Sequence, residues 1–196
     1  MNKLASILMV AVLLGITVPA VAANYKIDPL HANARFTLDH FATSSNVGGF
    51  YNLNGELQYD AGAKTGSVDI TIPLSTLDTG RSEFTKHLQA KLFLMRQSIR
   101  ICVFLHRTGF FDKQGKVRAL RGQLTMVGRT HPVTLRATKF NCYNSPMTQS
   151  QVCGGDFEAI IDRSQWGIDE YLTAIPASRY VKINIQIEAA DSKLTG

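Results

Sequence analysis

The strongest constraint on the fold is a strict alternation of apolar and polar residues near the end of the chain. Val181, Ile183, Ile185 and Ile187 occupy every second position, and polar or charged residues fill the positions between them. Successive side chains of a β-strand point to opposite faces, so a period of two places the apolar residues on one face. This segment is therefore predicted to be a strand with one face in a core.

The same period of two marks seven earlier segments, which predicts eight strands. The other segments lie around residues 34–39, 51–59, 68–72, 99–105, 120–126, 133–137 and 157–161. Turn residues such as Asp60-Ala61-Gly62 join several of them, which favours antiparallel pairing of neighbours. Eight antiparallel strands can close into a barrel, and closure removes exposed sheet edges. We therefore predict an all-β fold, an eight-stranded antiparallel barrel.

The connection between the third and fourth predicted strands is the exception to this pattern. Phe84, Leu88 and Leu92 recur there at helical spacing, and Ser82 is a suitable N-cap. One α-helix is therefore predicted to cross between strands three and four.

The first 23 residues are predicted to be a cleaved secretory signal peptide. They carry Lys3 as their only charge, an apolar run from Leu4 to Val18, and small residues before a cut after Ala22 or Ala23. Residues 24–196 then form a single domain, which we expect in the periplasm.

Export also bears on the cysteines, because disulfides persist in oxidising compartments. Cys142 and Cys153 lie close together in a segment rich in Asn, Ser, Pro and Gly, and we predict a disulfide between them. Cys102 lies in an apolar run and is expected to be a buried thiol.

Charge and motifs argue against several classes of function. The leader carries one of the 21 Lys and Arg residues, so the mature chain has 20 basic and 15 acidic residues and a formal charge of +5. It has no run of basic residues of the kind typical of nucleic-acid binding. The five histidines lack the spacing of metal ligands. No nucleophile elbow or phosphate-binding loop is present, so no catalytic residue is predicted. An enzyme stays an alternative, because catalytic groups can meet in space alone.

The interior of such a barrel is either filled by its own side chains or holds one ligand. The inward positions mix Val, Ile, Leu, Tyr and Phe, so any guest would be rich in hydrocarbon. The pattern alone does not decide between an interior filled by side chains and one that holds a ligand.

Short motifs in a fixed order run along the mature chain. They are Tyr25-Lys26-Ile27-Asp28-Pro29 with His31, Phe36 with His40, Gly49-Phe50 with Gly55, Ser75-Thr76-Leu77-Asp78-Thr79, His87-Leu88 with Phe93, the run from Gly122 to Leu135, and Arg163-Ser164-Gln165-Trp166-Gly167. In this order and spacing they resemble the YceI-like family of exported, lipocalin-like polyisoprenoid-binding proteins.

The resemblance implies an extended lipocalin-like barrel that holds or carries a polyisoprenoid chain, such as an isoprenoid quinone or a polyprenyl lipid. It implies no cofactor other than this bound lipid. Two further functions stay open, a stress-related exported interaction protein that uses the barrel as a scaffold and an enzyme acting on prenyl lipids. The expected partners are the isoprenoid lipid, a transient contact with a membrane surface and a second copy in a homodimer, whereas nucleic acid is not expected.

Strand parity and the crossing helix supply the candidate site residues. The predicted lining of the barrel consists of Phe36, Leu38, Leu53, Ile70, Ile72, Leu88, Phe93, Leu124, Leu135, Ile183 and Ile185. The candidates for contact with a polar head group are Arg81, His87, Arg163 and Arg179. Further basic residues near the helix, Lys86, Lys91, Arg96 and Arg100, predict a cationic mouth.

Overall fold

The computed structural model describes residues 22–93, 99–105 and 111–191, and within them the side chains of residues 22–90 and 111–191. Nearly all of the predicted leader and the thiol of Cys102 therefore lie outside the described residues. The described residues form ten strands: β1 (Ala23–Ile27), β2 (Asn33–His40), β3 (Ser44–Tyr51), β4 (Asn54–Asp60), β5 (Thr65–Ile72), β6 (Ile99–Leu105), β7 (Ala119–Met126), β8 (Arg129–Asn144), β9 (Gln151–Asp162) and β10 (Tyr180–Asp191). One α-helix, α1 (Ser82–Phe93), lies between β5 and β6.

The strands form one curled antiparallel sheet. From β4 to β10 each strand pairs with the next one along the chain, and β1 pairs with both β4 and β10. The long strand β10 meets β9 along one side. Along its other side, the first half pairs with β2 and the last residues pair with β1. The sheet therefore curls around until its first and last strands are joined by hydrogen bonds.

The predicted count of eight strands is wrong, and so is the numbered position of the helix. The first missed strand, β1, has only five residues and adjoins the apolar leader, which hides its alternation. The second, β3, contains Ser44, Ser45, Gly48 and Gly49 and so lacks an alternating apolar face. Because both strands precede the helix, α1 follows the fifth strand rather than the third.

A capped 3₁₀ turn, Pro29–His31, connects β1 to β2. The main-chain N–H of Leu30 donates to Asp28 Oδ1 at 2.9 Å, and His31 Nδ1 lies 2.7 Å from Asp28 Oδ2. This contact lowers the pKa of Asp28 and raises the pKa of His31. The turn redirects the chain between two strands that both pair with β10, so these motif residues have a structural role.

The inner face of the sheet is a continuous apolar core. Its largest fully buried side chains are Trp166, Leu53, Ile70, Leu124, Leu135 and Ile185. At one end, Cys142 on β8 lies opposite Cys153 on β9, and the two form the predicted disulfide. The disulfide joins the two strands beside the hairpin that connects them.

Candidate functional site

A cavity of about 430 Å³ occupies the end of the barrel nearest α1. Its volume falls in the range of small-molecule sites, about 300–1,000 Å³. The cavity lies inside the sheet, between β2 and β10 on one side and α1 on the other. Its apolar lining consists of Ala34, Phe36, Leu38, Phe50, Ile72, Phe84, Leu88, Leu124, Met126, Ile161, Ile168, Ile175, Val181, Ile183 and Ile185.

One wall of the cavity is the inner face of α1. Phe84, His87 and Leu88 line the cavity, and their spacing of three and four residues places them on one side of a helix. On the outer side, Lys86 Nζ pairs with Glu83 Oε1 at 3.1 Å, and both side chains are exposed. The helix is therefore amphipathic: its apolar face borders the cavity, and its ion pair is exposed to solvent.

The Ser75–Thr79 motif fixes α1 against β3. Asp78 exchanges two main-chain hydrogen bonds with Gly49 on β3, at 2.8 and 2.9 Å. The N–H of Thr79 then donates to Thr85 Oγ1 in the first turn of the helix at 3.0 Å. These bonds tie the start of the helix to the sheet, so the motif positions a wall of the cavity.

A second wall is the segment 168–178, and Arg163 holds it. Arg163 Nε donates to the Ser178 carbonyl at 2.8 Å, Nη1 to the Ile168 carbonyl at 3.0 Å and Nη2 to the Glu170 carbonyl at 2.9 Å. Burial lowers the pKa of Arg163, yet a guanidinium remains charged at neutral pH. Arg163 lines the cavity, but its nitrogens are occupied by the protein's own main chain.

Arg179 belongs to a polar cluster outside the cavity. Asp162 Oδ1 accepts hydrogen bonds from the N–H of Ser164 at 3.0 Å and from Ser164 Oγ at 2.6 Å. These bonds, with the nearby Arg179, lower the pKa of Asp162. Arg179 Nη1 donates to Ser164 Oγ at 3.1 Å and lies 3.5 Å from Asp162 Oδ2. The cluster caps the 3₁₀ turn Arg163–Trp166, from which the cavity wall begins.

Trp166 anchors that turn to β7. Its side chain is 1% exposed, and Nε1 donates to the carbonyl of Leu124 at 3.0 Å. Its ring and that of His131 form a T-shaped pair at a centroid distance of 5.0 Å. Because Leu124 lines the cavity, only this residue separates the bonded Trp166 side chain from the cavity. Trp166 is the single tryptophan of the chain and can therefore report on the site.

The mouth of the cavity lies between α1 and the segment 168–178. There the rings of His87 and Tyr171 face each other at a centroid distance of 6.4 Å. The Arg, Asp and Glu side chains that line the cavity, Arg35, Asp39, Arg163 and Glu170, are mixed in sign. The prediction of a cationic mouth is therefore not supported by the described side chains, and those of Lys91, Arg96 and Arg100 lie outside them.

The structure brings most of the predicted lining residues together. Seven of them line the cavity: Phe36, Leu38, Ile72, Leu88, Leu124, Ile183 and Ile185. Three do not, because Leu53, Ile70 and Leu135 are packed deeper in the core at 0–1% exposure. The side chain of Phe93 lies outside the described residues. Of the head-group candidates, His87 and Arg163 line the cavity, whereas Arg81 and Arg179 do not.

Several lining residues were missed from the sequence. Met126 and Ile161 share the parity of the predicted strand faces, so the alternation could have included them. Ile168 and Ile175 lie in an irregular segment and have no periodicity to reveal them.

A glycine also shapes the cavity: a Cβ on Gly48 would lie 2.5 Å from Cζ of Phe36, so the Phe36 ring occupies the space above Gly48.

Two absences hold for the part of the chain that the structure describes. No group of three or more His, Cys, Asp or Glu side chains is arranged to hold a metal ion. None of the described helices has the length and apolar content that a membrane crossing requires.

The sequence of residues 25–189 matches the YceI-like domain. The chain belongs to the YceI-like family. It is 31% identical over 186 residues to Protein YceI of Salmonella newport (strain SL254), an alignment that covers 93% of this chain and 95% of the relative. The Salmonella paratyphi B (strain ATCC BAA-1250 / SPB7) protein has the same identity and coverage.

Several solved structures share the fold. The Campylobacter jejuni YCEI protein superposes with a TM-score of 0.63 at 18% identity, covering 79% of this chain and 90% of that one. Burkholderia cenocepacia BcnA gives a TM-score of 0.62 at 16% identity, with coverage of 83% and 99%. A polyisoprenoid binding domain from Saccharophagus degradans gives 0.60 at 13% identity, with coverage of 88% and 99%. At these identities the likeness concerns the fold.

Proposed function

We propose that this YceI-like protein holds or carries a lipid with an isoprenoid chain, with the chain in the cavity and the polar head at the mouth. The observation that carries this proposal is the cavity of about 430 Å³ with an almost wholly apolar lining. Burying hydrocarbon there lowers the free energy by about 25 cal/mol for each Å² of apolar surface removed from water. The neighbour from Saccharophagus degradans, a polyisoprenoid binding domain of the same fold, supports an isoprenoid as the guest.

The role is binding rather than catalysis. Arg163, a charged side chain that lines the cavity, donates its N–H groups to main-chain carbonyls and Ser178 Oγ. His87 stands at the mouth and packs against Tyr171, where it can donate to or accept from a lipid head group. An isoprenoid quinone and a polyprenyl lipid are both candidate ligands, because each joins a branched hydrocarbon chain to one oxygen-bearing head.

We also propose that the protein works in the periplasm after removal of its leader. The disulfide between Cys142 and Cys153 supports an oxidising compartment. Strand pairing begins at Ala23, which lies opposite Tyr59 on β4. Cleavage after Ala22 would keep this first paired residue, and N-terminal sequencing of the exported protein tests that position.

The proposal is tested with two variants. One fills the cavity with a large side chain, and the other, a control, places the same side chain on the outer surface. Ile183→Trp places an indole inside the cavity, whereas Ile160→Trp adds the same group on β9 at a position that is 71% exposed. Protein purified from the periplasm is extracted with organic solvent, and the lipid is identified by mass spectrometry.

We expect the wild type and Ile160→Trp to retain isoprenoid lipid and Ile183→Trp to lose most of it. Equal retention by both variants would refute a site in this cavity. Absence of lipid from all three proteins would favour the exported interaction protein, because a scaffold has no reason to retain lipid.

A further inference from the structure

A layer of packed side chains divides the barrel interior into two cavities. The second cavity, also about 430 Å³, lies at the opposite end beside the disulfide and is lined by Tyr25, Tyr59, Phe140, Cys142 and Gln151 among others. Its lining is far more polar than that of the cavity at the mouth. Among the described side chains, the two cavities share no lining residue.

We assign Leu53, Ile70, Leu135 and Ile187 to this dividing layer, because each is buried in the core cluster and lines neither cavity. On β10 the mouth cavity extends from Val181 to Ile185, and Ile187, the next inward residue, lines neither cavity. On β5 it reaches Ile72 but not Ile70, and on β8 the inward residue Leu135 lines neither cavity. The four side chains are 0–4% exposed, so the layer is closely packed.

The depth of the mouth cavity limits the hydrocarbon that it can enclose. A cavity of about 150 Å³ lined by apolar side chains accommodates one benzene molecule. The mouth cavity has about three times that volume, which corresponds to roughly 15 to 20 carbon atoms. A chain of farnesyl or geranylgeranyl length fits this volume. A long polyprenyl chain would have to leave part of its length in solvent or displace the dividing layer.

We propose that the dividing layer sets the chain length of the ligand, so that this protein selects short isoprenoids over long polyprenyl chains. The inference rests on the proposed function, and it assigns a specificity role to Leu53, Ile70, Leu135 and Ile187. Removing a large side chain from the layer would join the two cavities and admit a longer chain.

The test compares three prenyl alcohols, farnesol, geranylgeraniol and the much longer solanesol. Binding is followed by the fluorescence of Trp166, which lies beside the cavity through its hydrogen bond to Leu124. The variants are Leu135→Ala and Ile70→Val, the second being a smaller deletion that keeps the layer folded. The control is Val152→Ala, because Val152 on β9 is 8% exposed but lies outside both cavities and outside the core cluster that contains the layer.

We expect the wild type to bind farnesol and geranylgeraniol at least tenfold more tightly than solanesol. Leu135→Ala should reduce this ratio about tenfold and Ile70→Val should reduce it less, whereas Val152→Ala should keep the wild-type ratio. A ratio within one variant is insensitive to a general loss of stability.

Equal affinity of the wild type for all three alcohols would overturn the inference and leave the proposed function intact. An unchanged ratio in both layer variants would also overturn it. Failure of the wild type to bind any of the three alcohols would refute the proposed function, and the inference with it.

Discussion

Arg163 is predicted to hold one whole wall of the cavity, and Arg163→Met tests this directly. Methionine keeps much of the apolar stem but removes every N–H donor. The substitution eliminates three hydrogen bonds to main-chain carbonyls and a fourth to Ser178 Oγ at 2.8 Å. Ser178 is 2% exposed, so its carbonyl and hydroxyl would lose a partner in a site that water reaches poorly.

The expected loss of stability follows from these contacts. A hydrogen bond from a charged donor contributes about 1.5–3 kcal/mol, but the Glu170 end is exposed and its carbonyl can bind water instead. We therefore expect the free energy of unfolding to fall by about 2–4 kcal/mol, well below the sum over four bonds. Ligand affinity should fall as well, because Ile168 and Ile175 lose their fixed positions in the wall.

The assay is urea unfolding followed by Trp166 fluorescence, with Arg179→Met as the matched control. Arg179 is half-exposed and forms a surface pair with Asp162, so its replacement should reduce stability by less than about 1 kcal/mol. If the two variants were destabilised equally, the guanidinium of Arg163 would not be what holds the wall.

Three further predictions concern the wall, the turn and the disulfide. Gly48→Ala should push the Phe36 ring into the cavity and reduce the amount of lipid retained while the protein stays folded, whereas normal retention would contradict the close approach at Gly48. The pKa of Asp162 is lowered in the folded protein, so its carboxylate stabilises the fold above the unfolded value of about 3.9, and this stabilisation is lost as the pH falls through the folded pKa. The difference in unfolding free energy between wild type and Asp162→Asn should therefore shrink below about pH 4, and a constant difference would exclude this role. Thiol counting on the denatured, non-reduced chain should find one reactive thiol, and reducing the bond between Cys142 and Cys153 should lower stability by roughly 2–3 kcal/mol; three thiols before reduction would disprove the bond.

Alternation in the sequence predicts which face of a strand a side chain occupies but not its depth along the barrel. Ile183 and Leu135 both lie on inward faces, yet Ile183 lines the cavity and Leu135 belongs to the dividing layer. Depth depends on the stagger between strands, which is set by pairings between distant parts of the chain. The prediction of an apolar interior was therefore more successful than the choice of individual lining residues.

The same limit applies to side chains whose partners are main-chain groups. Arg163 was predicted to bind a head group because a guanidinium binds oxygens well, and the structure places carbonyl oxygens of the protein at those nitrogens. The irregular segment that supplies them has no repeating pattern. Likewise β3 contains the consecutive glycines Gly48 and Gly49, and it could be recognised as a strand only from its hydrogen-bonded pairing with β2.

The long last strand, β10, has a consequence for how the chain reaches its folded state. It pairs with β9 on one side and with both β1 and β2 on the other, so the beginning of the chain has no partner on that side until residues 180–191 have been made. Contacts between such distant segments slow folding, since a long loop must close before they form. A growing chain therefore remains open along this seam throughout synthesis, and a truncation before Tyr180 would leave β9, β1 and β2 with unpaired edges prone to aggregation.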